Sequence, residues 1–194
     1  MKSGILVLAV ACALVNQVTA QGPEFTADGK LTRPNYREWI YLSSGLGMTY
    51  SAEAKSEPSF DNVFVSPPAY REFLATGRWP EKTMFVLEVR QASSHGSINH
   101  GGHFQSGVIA IEAEVKDSKK YPDKWAFFSF GDTPEKPGTV ARMIPNGSAC
   151  QTCHGKNGAV ENTFVQFYPT LIEAARKNGT LKASYQEPGA KPAH

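Results

Sequence analysis

Two cysteines and a histidine stand within five residues, Cys150-Gln151-Thr152-Cys153-His154. On a helical turn, positions i, i+3 and i+4 lie on one face, so both thiols and the imidazole project together. Cys-x-x-Cys-His is the attachment signature of a c-type haem. The thiols form thioethers with the porphyrin's vinyl groups, and the imidazole of His154 meets the iron as proximal ligand. Other readings of the pair are a redox dithiol, a structural disulfide, or half of a zinc site. A zinc site needs further soft ligands, and the only other cysteine, Cys12, lies in the signal-peptide segment described below. A thioredoxin-like dithiol is expected beside a βαβ pattern, which the residues around Cys150 do not display. Haem attachment uses all three side chains; a structural disulfide is the bland alternative.

The other histidines are candidates for the distal side of such an iron. His95 and His100 lie in a Gly/Ser-bearing loop, and His103 opens a long apolar strand. A distal histidine acts as sixth ligand, or as general acid in peroxide chemistry. A surface loop that happens to hold histidines is the simpler reading. Of the three, His103 is the candidate, because a strand holds it, with Phe104 beside it as a steric lid. Met48, Met84 and Met143 offer thioethers, but methionine is more often core filler than ligand. Arg142 suits either a haem propionate or the surface. No paired-carboxylate or Ser/His/Asp pattern points to hydrolysis.

The elements that must position these residues follow from periodicity and punctuation. Asn35–Leu42 reads as a helix with Tyr36, Trp39 and Ile40 on its apolar side. Ser43–Ser59, rich in Gly and Ser, reads as loop. Phe60–Val65 is a short strand stopped by Pro67-Pro68, after which Ala69–Thr76 forms a helix ending at Gly77. Thr83–Arg90 is the clearest strand: Thr83, Phe85, Leu87 and Val89 share one face, Met84, Val86, Glu88 and Arg90 the other. A loop from Gln91 to Gly102 leads to a long central strand, His103–Val115, and a polar turn at Lys116–Lys124 to a third strong strand, Trp125–Phe130. Pro134–Gly138 is loop, and Thr139–Ile144 a strand or short helix before the haem turn. Phe164–Lys177 closes the domain as a helix interrupted near Pro169 and capped by Gly179. Strands joined by short polar turns, with helices before and after, predict an α+β fold built on an antiparallel sheet with flanking helices. That arrangement argues against the small all-helical cytochromes and the four-helix ones.

Residues 1–20 read as a signal peptide: Lys2, an apolar run from Ile5 to Val15, and Val18-Thr19-Ala20 before Gln21. The run is short for a membrane span, and no later stretch approaches the required length. Export supports the haem reading, because c-type haem is attached outside the bacterial cytoplasm. The expected organisation is an extended leader over 21–33, a haem domain over 34–184 and a flexible tail over 185–194. Without Lys2, the 20 basic residues fall to 19 against 18 acids. That balance lacks the concentrated basic face of a nucleic-acid binder. Lys116, Lys119, Lys120 and Lys124, interleaved with Asp117 and Asp123, read as a solvated turn.

Several stretches together resemble the cytochrome P-460 and cytochrome c′-β family. They are Asn35-Tyr36-Arg37-Glu38-Trp39, the helix end from Phe73 to Gly77, Glu112-Ala113-Glu114-Val115-Lys116-Asp117-Ser118-Lys119, Trp125-Ala126-Phe127-Phe128, the Cys150–His154 motif, and Phe167-Tyr168-Pro169-Thr170-Leu171. They occur in the family's order across most of residues 34–176. The resemblance implies one covalent haem c per chain, an open distal position at a five-coordinate iron, and commonly a homodimer. Within the family, cytochromes P-460 carry a lysine cross-linked to the porphyrin and oxidise hydroxylamine, whereas cytochromes c′-β lack it and bind gases in an apolar pocket. The lysine's place falls on Leu87, and Lys82 is no substitute, since five residues along a strand puts it on the opposite face. Phe85, Leu87 and Val89 form an apolar strand face suited either to cover a porphyrin or to ordinary core.

The leading expectation is a periplasmic or secreted monohaem c-type protein that binds nitric oxide or a similar small ligand. The alternatives are an oxidoreductase acting on hydroxylamine, nitric oxide or peroxide, and an electron carrier serving a redox partner protein. The residues expected around the iron are Cys150, Cys153 and His154, with His103, Phe104, Leu87 and Phe85 as distal candidates.

Overall fold

The computed structural model describes residues 22–49, 57–131 and 137–186. Its centre is a five-stranded antiparallel sheet in which neighbours in sequence are neighbours in space: β2 (Ile40–Leu46), β3 (Ser59–Val65), β4 (Met84–Ser93), β5 (Phe104–Lys116) and β6 (Trp125–Ser129). A small second sheet joins β1 (Leu31–Thr32) to β7 (Val140–Ala141). Three helices complete the chain: α1 (Pro67–Thr76), α2 (Ala149–Asn157) and α3 (Ile172–Lys177), with 3₁₀ turns at Tyr36–Glu38 and Val165–Phe167. The expected α+β architecture with an antiparallel sheet and flanking helices is what the chain adopts.

The two faces of the sheet are sorted by strand alternation. On one face Met84 and Val86 of β4, with Ile111, Ala113 and Val115 of β5, pack with Leu31, Tyr36 and Phe128. Glu88 shares this face and is 2% exposed. Its carboxylate accepts from the Tyr36 hydroxyl, Arg37 and Arg90, which is what makes a buried charge tolerable there. On the other face Val65, Phe85 and Trp125 pack against Phe73 of α1, Trp79 and Leu171. Phe73 and Trp79 pack with ring planes tilted by 33° and centroids 4.0 Å apart, and Phe85 meets Trp79 edge-on at 4.7 Å. Truncating a buried ring of this kind costs about 3–5 kcal/mol.

Cross-strand register decides which residues share that second face. Phe85 pairs with Val65 and Glu114, and Glu114 with Phe127. One row along, Leu87 pairs with Val63 and Glu112, and Val63 with Ser43. The central strand therefore presents Glu112, Glu114 and Lys116 on the face that carries Phe85 and Leu87, and Ile111, Ala113 and Val115 on the other.

Two expectations about the N-terminal half are corrected. Asn35–Leu42 forms one 3₁₀ turn and then the start of β2, because Ile40 and Tyr41 pair with Val65 and Phe64. Eight residues are too few for a stable helix, and sheet pairing overrides local propensity. Ser43–Leu46, read as loop, continues β2 beyond an irregularity between Tyr41 and Ser43. The part of that loop reading over 50–56 lies outside the described residues, as does 132–136. The loop expected from Gln91 to Gly102 begins later, because β4 continues to Ser93, and the long strand starts at Phe104 rather than His103. Helix α1 ends at Gly77, whose φ of 68° lets its N–H reach Phe73 O at 2.7 Å. The C-terminal helix is broken before Pro169 into a 3₁₀ turn and α3.

Candidate functional site

Helix α2 carries the Cys-x-x-Cys-His residues and is shaped by its ends. Ser148 is the N-cap, its hydroxyl accepting from the Gln151 N–H at 3.4 Å. Gln151 is buried, and its side-chain oxygen accepts from the Gly147 N–H at 2.6 Å. Behind the helix the chain doubles back sharply at Gly158. A Cβ there would stand 2.7 Å from Thr163 N and 2.9 Å from the carbonyl carbon of Asn162, so only glycine permits the approach. The returning loop is locked by Thr163, which accepts from Trp79 Nε1 at 2.9 Å and donates to Val160 O at 2.7 Å.

That return places the Asn162 carbonyl 2.9 Å from His154 Nδ1. A carbonyl can only accept, so Nδ1 carries the proton and the Nε2 lone pair is left for a metal. The imidazole is held between Phe127, at 4.7 Å between centroids, and Phe164, at 4.4 Å. Glu114 Oε2 lies 3.1 Å from the same Nδ1. Oε2 has no hydrogen-bond partner, and it forms an ion pair with the ring only when the imidazole is protonated. Burial alone would lower the pKa of His154, but the Glu114 carboxylate and the Asn162 carbonyl outweigh it and hold the imidazole above its ordinary value.

The helix, the second face of the sheet and the segment 164–169 enclose a cavity of about 630 Å³. That is within the range of small-molecule and cofactor sites. Cys150, Cys153 and His154 line one wall; Phe85, Leu87, Val63 and Phe127 give the sheet side its apolar surface; Phe164, Phe167 and Tyr168 close another side. The two thiols are not bonded to each other. Burial first, then the Glu112 charge, raises the Cys150 thiol and keeps it protonated. Ser43 and Gly45 of the edge strand line the cavity as well, and their small size leaves the space open. Two unbonded thiols and a pre-oriented imidazole on one apolar wall are the donor set of a c-type haem. Among the described residues no cluster of three or more His, Cys, Asp or Glu is placed to hold a metal ion by itself.

The structure sorts the sequence-predicted residues. It brings Phe85 and Leu87 into the cavity with the motif, while Val89 is not among the lining residues. His103 and Phe104 do not line it: His103 is exposed, and Phe104, 41% exposed, lays its ring over Gly96 in the preceding loop. His95 and His100 are exposed in that loop, and Arg142 is exposed outside the cavity. Met48 lines the cavity, Met84 is buried on the opposite face, and Met143 is 40% exposed. Lys82 pairs with Asp117 away from the site.

The apolar strand face has polar neighbours in the cavity. The face of β4 is apolar, but Glu112 and Glu114 of β5 and Asp61 of β3 line the same cavity. Burial pushes the Glu112 carboxyl above its ordinary value against the opposing pull of His154, and the Asp61 charge adds to the rise. The sequence signal for these residues was the alternation Glu112-Ala113-Glu114-Val115-Lys116 inside a central strand, which places every charge on one face.

A protein-family model described as Cytochrome P460 matches residues 33–165. The span covers all of the five-stranded sheet and helix α2. A search of curated proteins finds no match.

Proposed function

Since the chain belongs to the cytochrome P460 family, we propose that it is an exported monohaem c-type cytochrome that binds nitric oxide or a similar small uncharged ligand. The observation that carries the choice within the family is the cavity wall at Leu87, where no lysine is found among the described lining residues. Haem bound there supplies an iron that takes small ligands and exchanges single electrons.

The chain's own residues divide the work. Cys150 and Cys153 hold the porphyrin as thioethers, and His154 offers Nε2 while Asn162 fixes its tautomer. Phe127 and Phe164 flank the imidazole and restrict it to small rotations. Phe85, Leu87 and Val63 exclude water from the sheet side and favour a neutral diatomic over a hydrated ion. Residues 1–20 direct export, and among the described residues no helix is long and apolar enough to cross a membrane.

Glu112 favours a second reading, an oxidoreductase acting on hydroxylamine or a related small molecule. A half-buried carboxyl with a raised pKa, close to a second carboxylate, is suited to take up and release a proton beside a reacting ligand.

The test is an absorption spectrum of the matured protein, oxidised, reduced, and reduced with nitric oxide. A high-spin ferrous c-type spectrum that nitric oxide converts supports the proposal. A strongly shifted Soret band would revive a cross-linked porphyrin, and a low-spin spectrum indifferent to ligands would make the protein an electron carrier. Absence of haem would overturn both readings.

A further inference from the structure

One proton and two acceptors meet at His154. The Nδ1–H is directed to Asn162 O at 2.9 Å, while Glu114 Oε2 waits at 3.1 Å. Oε2 is one of only two buried side-chain oxygens among the described residues that have no hydrogen-bond partner, and the Glu114 side chain is 8% exposed. An unsatisfied buried carboxylate oxygen is expensive to keep. Its neighbours on the same strand face are accounted for otherwise: Lys116 is engaged with Glu161 and Trp79 O, and Glu112 lines the cavity. The imidazole N–H is the donor that Oε2 stands beside.

We propose that Glu114 is a positioning residue for the axial histidine, taking the Nδ1 proton's hydrogen bond when Nε2 binds iron. The inference rests on the haem reading above. A metal cation on Nε2 withdraws electrons from the ring and makes Nδ1–H a stronger donor, and a carboxylate is a stronger acceptor than a peptide carbonyl. A small rotation of the ring transfers the bond from Asn162 to Glu114 and satisfies Oε2. The result is a more electron-rich imidazole, a stronger iron–histidine bond and a preference for ferric over ferrous iron. Asn162 then serves to hold the ring in the right tautomer before the haem arrives, and Glu114 to tune it afterwards.

The experiment compares the holoprotein with its E114Q, E114D and E112Q variants by reduction potential and by the resonance Raman iron–imidazole stretch of the ferrous state. E114Q should shift the ferric/ferrous equilibrium at least tenfold towards ferrous, a rise of 59 mV for one electron, and lower the stretching frequency. E114D keeps the charge but withdraws it by one methylene, so it should lower the stretch as E114Q does. E112Q removes a charge from the same cavity without touching the ring, so its stretch should stay at the wild-type frequency. An unchanged stretch in E114Q, or an equal change in E112Q, would overturn the proposal, because Asn162 alone or general charge would then suffice. Loss of haem from both Glu114 variants would equally overturn it, making the residue part of attachment. A wild-type protein without haem would sink the underlying reading instead, so the two failures are distinguishable.

Discussion

Lys116 and Glu161 tie the central strand to the loop that orients His154. The Lys116 ammonium donates to the Glu161 carboxylate at 2.8 Å and to Trp79 O at 2.7 Å, and Trp125 Nε1 donates to the other Glu161 oxygen at 3.1 Å. Glu161 immediately precedes Asn162, whose carbonyl meets His154. The pair thus connects sheet packing to the geometry of the imidazole.

Breaking that pair should therefore be felt at the site. Lys116→Met leaves Glu161 without its cation, and since Glu161 is only partly exposed the loss should be about 3 kcal/mol, near the low end for a buried pair. Thermal unfolding of the holoprotein measures it. Lys116→Met combined with Glu161→Gln should recover part of the loss; a strictly additive double variant would mean that the two side chains are not coupled.

Gly158 offers a sharper local test. Gly158→Ala forces the Asn162–Thr163 backbone away from the helix end and should cost about 1–3 kcal/mol, with reduced haem attachment as the chain matures. Gly155→Ala, three residues earlier in the same helix, meets open space and should be neutral or stabilising by up to about 1 kcal/mol. Equal effects of the two would show that close approach at Gly158 is not what shapes the loop.

Glu112→Gln separates ligand binding from turnover. Nitric oxide binding should persist in the variant, because the apolar wall of Phe85 and Leu87 is intact. If the protein oxidises hydroxylamine with Glu112 as proton acceptor, turnover should fall by roughly 10²–10⁴-fold. Steady-state assays with the wild type and the variant decide it, and an unchanged rate would exclude Glu112 from proton transfer.

Acid should weaken the fold through Glu88. Burial tends to raise this carboxyl, but hydrogen bonds from Arg90 and Tyr36 and the charge of Arg37 prevail and hold it below its ordinary value of 4.5. A group whose pKa is depressed on folding contributes stability above its unfolded value and loses it as pH falls through the folded one. The melting temperature should drop as pH is lowered below 4.5, and Glu88→Gln should be less stable at neutral pH with a flatter acid limb. An identical acid limb in the variant would place the sensitive carboxylate elsewhere.

What the chain determined by itself was local. The Cys150–His154 spacing needs only one helical turn to bring three side chains together. The alternation of Thr83–Arg90 needs only a strand to separate Phe85 and Leu87 from Val86 and Glu88. Gly77 and Pro169 act on the residues beside them. The tertiary structure decided everything that depends on register between distant segments. Ile40 and Tyr41 became strand because β3 was there to pair with them. Leu87 acquired Glu112 and Val63 as neighbours, so an apolar strand face became part of a cavity with carboxylates in its walls. His103, just ahead of the long strand and eleven residues from Glu114, was left outside, while Glu114 was carried to the imidazole. No window of sequence contains these relationships, because a strand specifies which residues share its face and only pairing across the sheet specifies what stands beside them.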